Sequence, residues 1–277
     1  MSEAQGHERE ADAVPRFGLI IVGDEILSGK RPDKHLVKVI ELLGARGLQL
    51  AWAHYAGDDR GALVRLLEGS FASGDVVFSC GGIGATSDDH TRQAAAAALR
   101  RELALHPEAE RLITERCVEM AREGRGEVDM SSAENRQRLK MGEFPGGATI
   151  IPNPYNRIPG FAVQRHWFVP GFPVMAWPMI EWVLDTHYAQ YFHREARAEH
   201  AFLVFEVPES RLTPIMEEIE AAYPAVRTFS LPSVGDGNDG RTARRHVEFG
   251  VKGPPAQAEA AFALMRERVA ALGVETG

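Results

Sequence analysis

The chain has 277 residues, 44% of them hydrophobic and 25% charged, enough apolar material for one large domain or two modest ones. Its 31 Lys+Arg against 39 Asp+Glu give a formal net charge of −8, which excludes long-range attraction to nucleic acid or to an anionic membrane surface. No apolar run reaches the ~20 residues that cross a bilayer, the polar start MSEAQGHEREADAVPR is not a secretory signal, and two cysteines make no disulfide framework, so a cytoplasmic protein is expected.

Residues 1–16 read as a disordered N-terminus. FGLIIVG (Phe17 to Gly23) is a short apolar run ending in glycine, the pattern of a buried parallel strand, and the polar loop DEILSGKRPD follows it. Leu36, Val39, Ile40 and Leu43 recur at helical spacing and predict an amphipathic helix from about Asp33 to Arg46, stopped by Gly47. LQLAWAHY is the next strand, a helix carries Leu63, Leu66, Leu67 and Phe71, and DVVFSC is a third strand. Helices are then expected from Thr91 to Leu105 and across residues 107–140, followed by a turn-rich stretch, the strand QRHWFVPG, and a helix from Pro173 to Tyr191. Strands alternating with helices predict a parallel sheet covered on both faces, with ligands beyond the carboxyl ends of the strands.

The composition turns charged at HREARAEH, which puts a domain boundary near residue 195. Beyond it the order strand, helix, strand, glycine-rich turn (GDGNDGRT), strand, helix predicts a small α+β unit of βαββα type over 196–277, with an antiparallel sheet. Arg244 and Arg245 within it read as a solvated strand face.

In GGIGATSDDHT (Gly81 to Thr91) the glycines expose backbone N–H groups and the next helix adds partial positive charge at its N-terminus, an arrangement suited to phosphate. Gly81, Gly82, Gly84 and Thr86 are the candidate phosphate-binding residues, although glycines also serve strand-to-helix turns for steric reasons alone. One of Ser87, Asp88, Asp89 and Thr91 is expected to cap the helix. A second acid needs another reason, because two carboxylates repel a phosphate unless a divalent cation lies between them, and Mg²⁺ is held by one or two carboxylates plus substrate phosphates. Asp24, Asp88 and Asp89 are the candidate ligands for Mg²⁺ or another divalent cation, with Asp58 at the tip of the second strand close by; Asp59 reads as a helix cap. Ser28 and Lys30 form a second small-residue loop that can contact phosphate, Lys30 being equally consistent with a solvated charge. His187, His193 and His200 stand six and seven residues apart, which does not fit a zinc pair on one helix.

GDEILSG, a helix, GDD and GGIGATSDDHT, in that order over residues 17–105, resemble the molybdopterin-binding domain shared by competence/damage-inducible protein A (CinA), molybdopterin adenylyltransferases and the first domain of eukaryotic FAD synthases. ENRQRLKMGEFPGGATIIPNP (Glu134 to Pro154) and WFVPGFPVMAWPMIE (Trp167 to Glu181) are similar to the CinA branch and extend the resemblance to about residue 190. It implies a three-layer αβα fold with a mostly parallel sheet over 17–195. It implies, too, that Asp89 and Asp58 stand at acids used in catalysis and that Asn135 and Pro145, Gly146 and Gly147 belong to motifs closing the ligand cleft. YNRIPG (Tyr155 to Gly160) departs from the usual GTAPG, putting bulk and a cation, Arg157, where small residues would line the pocket. The resemblance ends before the amidohydrolase domain of full-length CinA proteins, so nicotinamide-nucleotide deamidation is not inferred. The expected function is a divalent-metal-dependent pyrophosphatase acting on a dinucleotide such as ADP-ribose or FAD. The alternatives are a module that binds a phosphorylated pterin such as molybdopterin, or a nucleotide, without chemistry and, ranked lower, a molybdopterin adenylyltransferase. A homo-oligomer is expected.

Overall fold

A computed structural model of the chain describes residues 13–194, 196–235 and 242–277. The chain divides between Phe192 and His193 into two compact units.

In the first unit the elements are β1 (Phe17–Val22), α1 (Asp24–Leu27), α2 (His35–Gly44), β2 (Leu50–Ala56), α3 (Arg60–Ser73), β3 (Val76–Cys80), α4 (Thr91–Ala98), β4 (Leu103–Leu105), α5 (Pro107–Arg122), α6 (Ala133–Leu139), β5 (Glu143–Pro145), β6 (Thr149–Ile151), β7 (Gly160–Val163), β8 (His166–Val169) and α7 (Pro173–His187). Six strands form one sheet in the order β2-β1-β3-β8-β7-β6. The pairings β2-β1, β1-β3 and β3-β8 are parallel, and β7 and β6 add an antiparallel edge. The fold is therefore α/β with a mostly parallel sheet.

Strand periodicity explains the layers. Along β1, Phe17, Leu19 and Ile21 face one way and pack with Val39, Leu42 and Leu43 of α2 and with Met179, Ile180 and Val183 of α7. Ile20 and Val22 face the other way, among Leu63 and Leu67 of α3 and Ala94 and Ala95 of α4. Each large side chain buried this way contributes roughly 1.5–3 kcal/mol. On the second face Phe144, Phe161 and Phe168 stack in series at 4.8 and 4.4 Å between ring centres, coupling β5 to β7 and β8.

The sequence expectations fail at four places, each for a local reason. DEILSGKRPD begins with one helical turn, α1, rather than as a loop. The helix expected to reach Leu105 stops at Ala98, because Arg100 adopts a left-handed backbone (φ 53) and the chain turns into β4, which pairs with β5. The helix expected over 107–140 is two helices, parted where Gly124 and Gly126 take φ of 75 and 107, outside the helical range. The turn-rich stretch contains β5, β6 and the first half of β7, whose alternation is too short to stand out in sequence. The N-terminal expectation falls for residues 1–12 outside the described residues, but Val14 packs on the core and the carbonyl of Arg16 accepts from the Val76 N–H at 2.9 Å.

The second unit contains β9 (Ala198–Phe205), α8 (Thr213–Ala222), β10 (Arg227–Ser233), β11 (His246–Gly253) and α9 (Pro255–Ala271), with an antiparallel sheet in the order β10-β11-β9. Its own core gathers Val204, Phe249, Val251, Ile219, Met265 and Val269. Most of the glycine-rich turn between β10 and β11, residues 236–241, lies outside the described residues. Arg244 is not simply solvated: its guanidinium makes a two-point contact with Glu275 at 2.8 and 2.9 Å and covers the Phe205 ring. No described helix is long and apolar enough to cross a membrane.

Candidate functional site

Four parallel strands end side by side at Val22, Ala56, Cys80 and Val169, and the loops that follow them meet there. The glycine loop after β3 is the most constrained of these. Gly82 has φ +68, and a Cβ on it would lie 2.2 Å from the Thr91 hydroxyl oxygen, so only glycine fits. That hydroxyl donates to the Gly81 carbonyl at 3.0 Å. Arg92, almost wholly buried in the first turn of α4, donates through Nη2 to the Gly84 carbonyl at 2.7 Å and through Nη1 to the Lys140 carbonyl. Gln137 of α6 donates to the Ala85 carbonyl. The loop carbonyls are thus tied back to α4, α6 and their surroundings. The N–H groups of Gly82, Ile83, Gly84 and Ala85 meet no acceptor among the described residues. Such a run of free backbone donors is the chemistry of an anion cradle.

Asp89 does not cap α4. Its Oδ2 accepts from the Thr86 N–H at 2.9 Å and from the Thr86 hydroxyl at 2.5 Å, stapling the loop, while Oδ1 has no described donor. His90 occupies the N-cap position with no side-chain bond, so the expectation that Ser87, Asp88, Asp89 or Thr91 caps this helix is corrected. Asp59 does cap α3, accepting from the Ala62 N–H at 2.7 Å.

The other two acidic loops are clamped to each other. The Asp24 N–H donates to Asp58 Oδ2 at 2.9 Å, and the Asp58 N–H donates to Asp24 Oδ1 at 3.2 Å. Gly57 leaves room for this, since a Cβ there would sit 2.4 Å from Asp24 Oδ1. The Asp58 carboxyl is pushed above the usual carboxylate range, first by partial burial and then by the negative charge of Asp24, Glu25 and Asp88, against the lowering effect of the Asp24 N–H. Among the described residues no three His, Cys, Asp or Glu side chains are arranged to hold a metal ion by themselves.

A cavity of about 730 Å³ opens over these loops. Of the residues singled out from sequence, Lys30, Asp58, Gly82, Gly84, Thr86, Asp88 and Asp89 line it. Others lie elsewhere. Asp24 is held against Asp58, and Ser28 closes α1 with its N–H on the Asp24 carbonyl. Gly81 backs onto β1, where a Cβ would meet the Val22 carbonyl oxygen at 2.3 Å. Asn135 is fully buried and holds the turn before α6 through the Glu127 and Asp129 carbonyls. Pro145 pairs with Leu103, and the Gly146 carbonyl accepts from Arg101, so that motif is scaffold beside the cleft rather than its wall.

Arg157 is the clearest reversal. It turns away from the cavity and pairs with Glu119 at 2.7 Å and Glu115 at 3.9 Å on α5. Its neighbours Asn156 and Ile158 line the cavity instead. Sequence reasoning also missed Arg31, Asn153, Phe172 and Met175. Arg31 was signalled by standing next to Lys30 in the same loop, and Arg92 by being the one charge in TRQAAAAA. The others carried no local signal. Cys80 is buried, which pushes its thiol well up, as suits a core residue.

Residues 18–189, more than half of the chain, match the family described as "Probable molybdopterin binding domain". The chain belongs to this family. Its curated relatives include CinA-like proteins of Anaeromyxobacter sp. (strain Fw109-5), 31% identical over 82% of this chain and 56% of the relative, and of Anaeromyxobacter dehalogenans (strain 2CP-C), 32% identical over 91% of this chain and 58% of the relative. The chain therefore spans less than two thirds of the length of these relatives. Among solved structures, the protein CinA with unknown function from Thermoplasma acidophilum superposes with a TM-score of 0.52 at 23% identity, over 61% of this chain and 97% of that one, a likeness of fold.

Proposed function

We propose that the chain binds a phosphorylated pterin or nucleotide with its phosphates on the Gly82–Ala85 loop, and that it hydrolyses a nucleotide pyrophosphate of the ADP-ribose or FAD kind. The observation that carries this reading is the loop itself, whose carbonyls are tied away by Arg92 and Gln137 while its N–H groups stay free beside Lys30 and Arg31. Membership in a molybdopterin-binding family supports the ligand class.

The acids at the cavity fit a divalent cation: partial burial and the like charge of Asp24, Glu25 and Asp88 outweigh the one Asp24 N–H that Asp58 accepts, and Glu25, Asp88 and Asp89, whose Oδ1 has no described donor, line the same space. One or two of these carboxylates plus substrate phosphates suffice for such an ion. When bound it would neutralise phosphate oxygens and the charge that grows on them in the transition state. The chain's own residues orient the two phosphates on the glycine loop and the Lys30 and Arg31 side chains. Asp58, more basic than an ordinary carboxylate, takes a proton from water as the water oxygen bonds to one phosphorus and the bridging P–O bond breaks, leaving two monophosphates.

The experiment is incubation of the full chain with ADP-ribose or FAD and Mg²⁺ or Mn²⁺, reading AMP release. Release that stops with EDTA, and falls about 100-fold in Asp58→Asn, is the expected result. A second reading, a binding module without chemistry, is favoured by Asp89 Oδ2 being spent on Thr86. Tight ADP-ribose binding in EDTA with no AMP after long incubation with metal would select it.

A further inference from the structure

Besides the glycine loop, the basic pair and the acids, the cavity is lined by an uncharged group, Asn153, Asn156, Ile158, Phe172 and Met175. Contacts join its members: Asn156 bonds Asn153, Ile158 and Met175, and the Met175 N–H donates to the Phe172 carbonyl at 2.9 Å. Two of these residues are unspent. Phe172 is 57% exposed and has no aromatic partner among the described residues. Asn156 is held in one orientation, because its Oδ1 accepts both from Asn153 Nδ2 at 2.8 Å and from the Ile158 N–H at 3.0 Å. That leaves Nδ2 as a fixed donor whose protein partner is the Met175 sulfur at 3.4 Å, a weak acceptor. Asn153, by contrast, is fully used: its Nδ2 also donates to the Ile158 carbonyl and its Oδ1 accepts from the Tyr155 N–H.

We propose that Asn156 and Phe172 form a ring-recognition subsite, which selects ligands carrying a planar heteroaromatic ring with a hydrogen-bond acceptor on its edge. Phe172 supplies a face for stacking, and Asn156 Nδ2 exchanges the thioether for a ring nitrogen or carbonyl oxygen, a stronger acceptor. Ile158 and Met175 keep the slot apolar, so a hydrogen bond made there is worth more than in water. Arg157 contributes by position: its outward ion pairs on α5 hold the segment that presents Asn156 and Ile158 to the cavity. Nucleobases and pterins share the ring chemistry that this subsite takes, so both are probed. The inference rests on the phosphate-cradle reading for the other end of the ligand.

The test is equilibrium binding to the full chain of four probes: ADP-ribose, a phosphorylated pterin, adenosine, and inorganic pyrophosphate, which has no ring. Phe172→Ala is expected to weaken ADP-ribose or the phosphorylated pterin about tenfold while leaving pyrophosphate unchanged, and Phe172→Tyr is expected to restore binding; Asn156→Asp, which removes the donor but adds a negative charge, is read with uncharged adenosine and is expected to weaken it by a similar factor. Which of the two ring ligands binds more tightly to the native chain identifies the ring class. Ring-ligand affinities that are unmoved in both variants, with pyrophosphate still bound, would overturn the subsite and leave the cradle standing. Adenosine binding that is lost in the variants, with no pyrophosphate binding, would uphold the subsite and overturn the cradle. Both residues are partly exposed, and a thermal melt of each variant verifies that the chain is folded.

Discussion

At the carboxyl end of the six-stranded sheet, Asp58, Asp88 and Asp89 border an open cavity and share it with Lys30 and Arg31. At the amino end, Ser70, Asp75 and His166 are each less than a tenth exposed, and every one is engaged with a neighbour. Ser70 Oγ lies 2.6 Å from His166 Nε2, the His166 ring packs on Phe71 at 4.2 Å, and Asp75 Oδ2 accepts from the Trp52 indole N–H at 2.7 Å. A serine, a histidine and an aspartate together invite a catalytic reading, yet here they are sealed, and burial holds the imidazole neutral with a pKa of about 4 despite the nearby Asp75 charge. The acids at the other end look less like a machine but face space that a ligand can enter. Access and unspent donors, not residue types, set the candidate site apart from the scaffold in this molecule.

The two ends differ in how they respond to perturbation. Arg92→Ala removes charge-assisted bonds from a buried guanidinium to two carbonyls and opens a void, and should cost about 3–5 kcal/mol in urea melts, with pyrophosphate affinity lost together with it. An unchanged midpoint would mean that the loop holds its own shape. The next effect belongs to the sealed end. The folded-state pKa of His166 lies below its ordinary 6.5, so the folded chain binds fewer protons between the two values. Its contribution is complete above pH 6.5 and is lost as pH falls toward 4, by about 3 kcal/mol. Melts of the native chain between pH 7 and 4 against a Ser70→Ala, His166→Phe double variant isolate it, and parallel curves would sink the assignment.

Asp58 has the opposite sign. Its folded pKa is raised, so the folded chain binds the extra proton just above the ordinary value of 3.8, and stability falls as pH climbs through the raised one. Asp58→Asn should therefore raise the melting temperature at neutral pH while cutting AMP release about 100-fold, and the native rate should climb with pH as Asp58 ionises. A variant that loses stability together with activity would make Asp58 scaffold. The smallest effect is expected from Glu119→Gln, which cuts an ion pair with a half-exposed Arg157: below about 1 kcal/mol in stability, with a modest loss of ring-ligand affinity. High salt should reproduce that loss in the native chain.

Much of the site's outline was legible because it is local. A strand that ends in glycine, a loop too tight for side chains and acids at the next two strand tips are written in contiguous residues, and the parallel sheet that unites them follows from alternation of strand and helix. Asp59 as a cap was readable from its place before α3 for the same reason. Asn135 and Pro145 were misplaced because a motif marks a residue without saying what it touches: one satisfies two carbonyls behind α6, the other pairs an edge strand. Asp89 read as a cap or a ligand, and the Thr86 bonds that occupy one of its oxygens depend on how the loop closes.

By itself, then, the sequence determined the α/β architecture expected over residues 17–195, the antiparallel unit that follows it in the chain, and the end of the sheet where the candidate site lies, because periodicity and turn residues act over a few positions. Tertiary structure alone decided which side chains furnish that end. Arg92 finds a carbonyl 48 residues away, and Arg157 is drawn out of the cavity by two glutamates on α5. Phe172 and Asn156 meet across one space only after β7, β8 and α7 have packed. Those outcomes are set by competition among distant partners, which no spacing along the chain encodes.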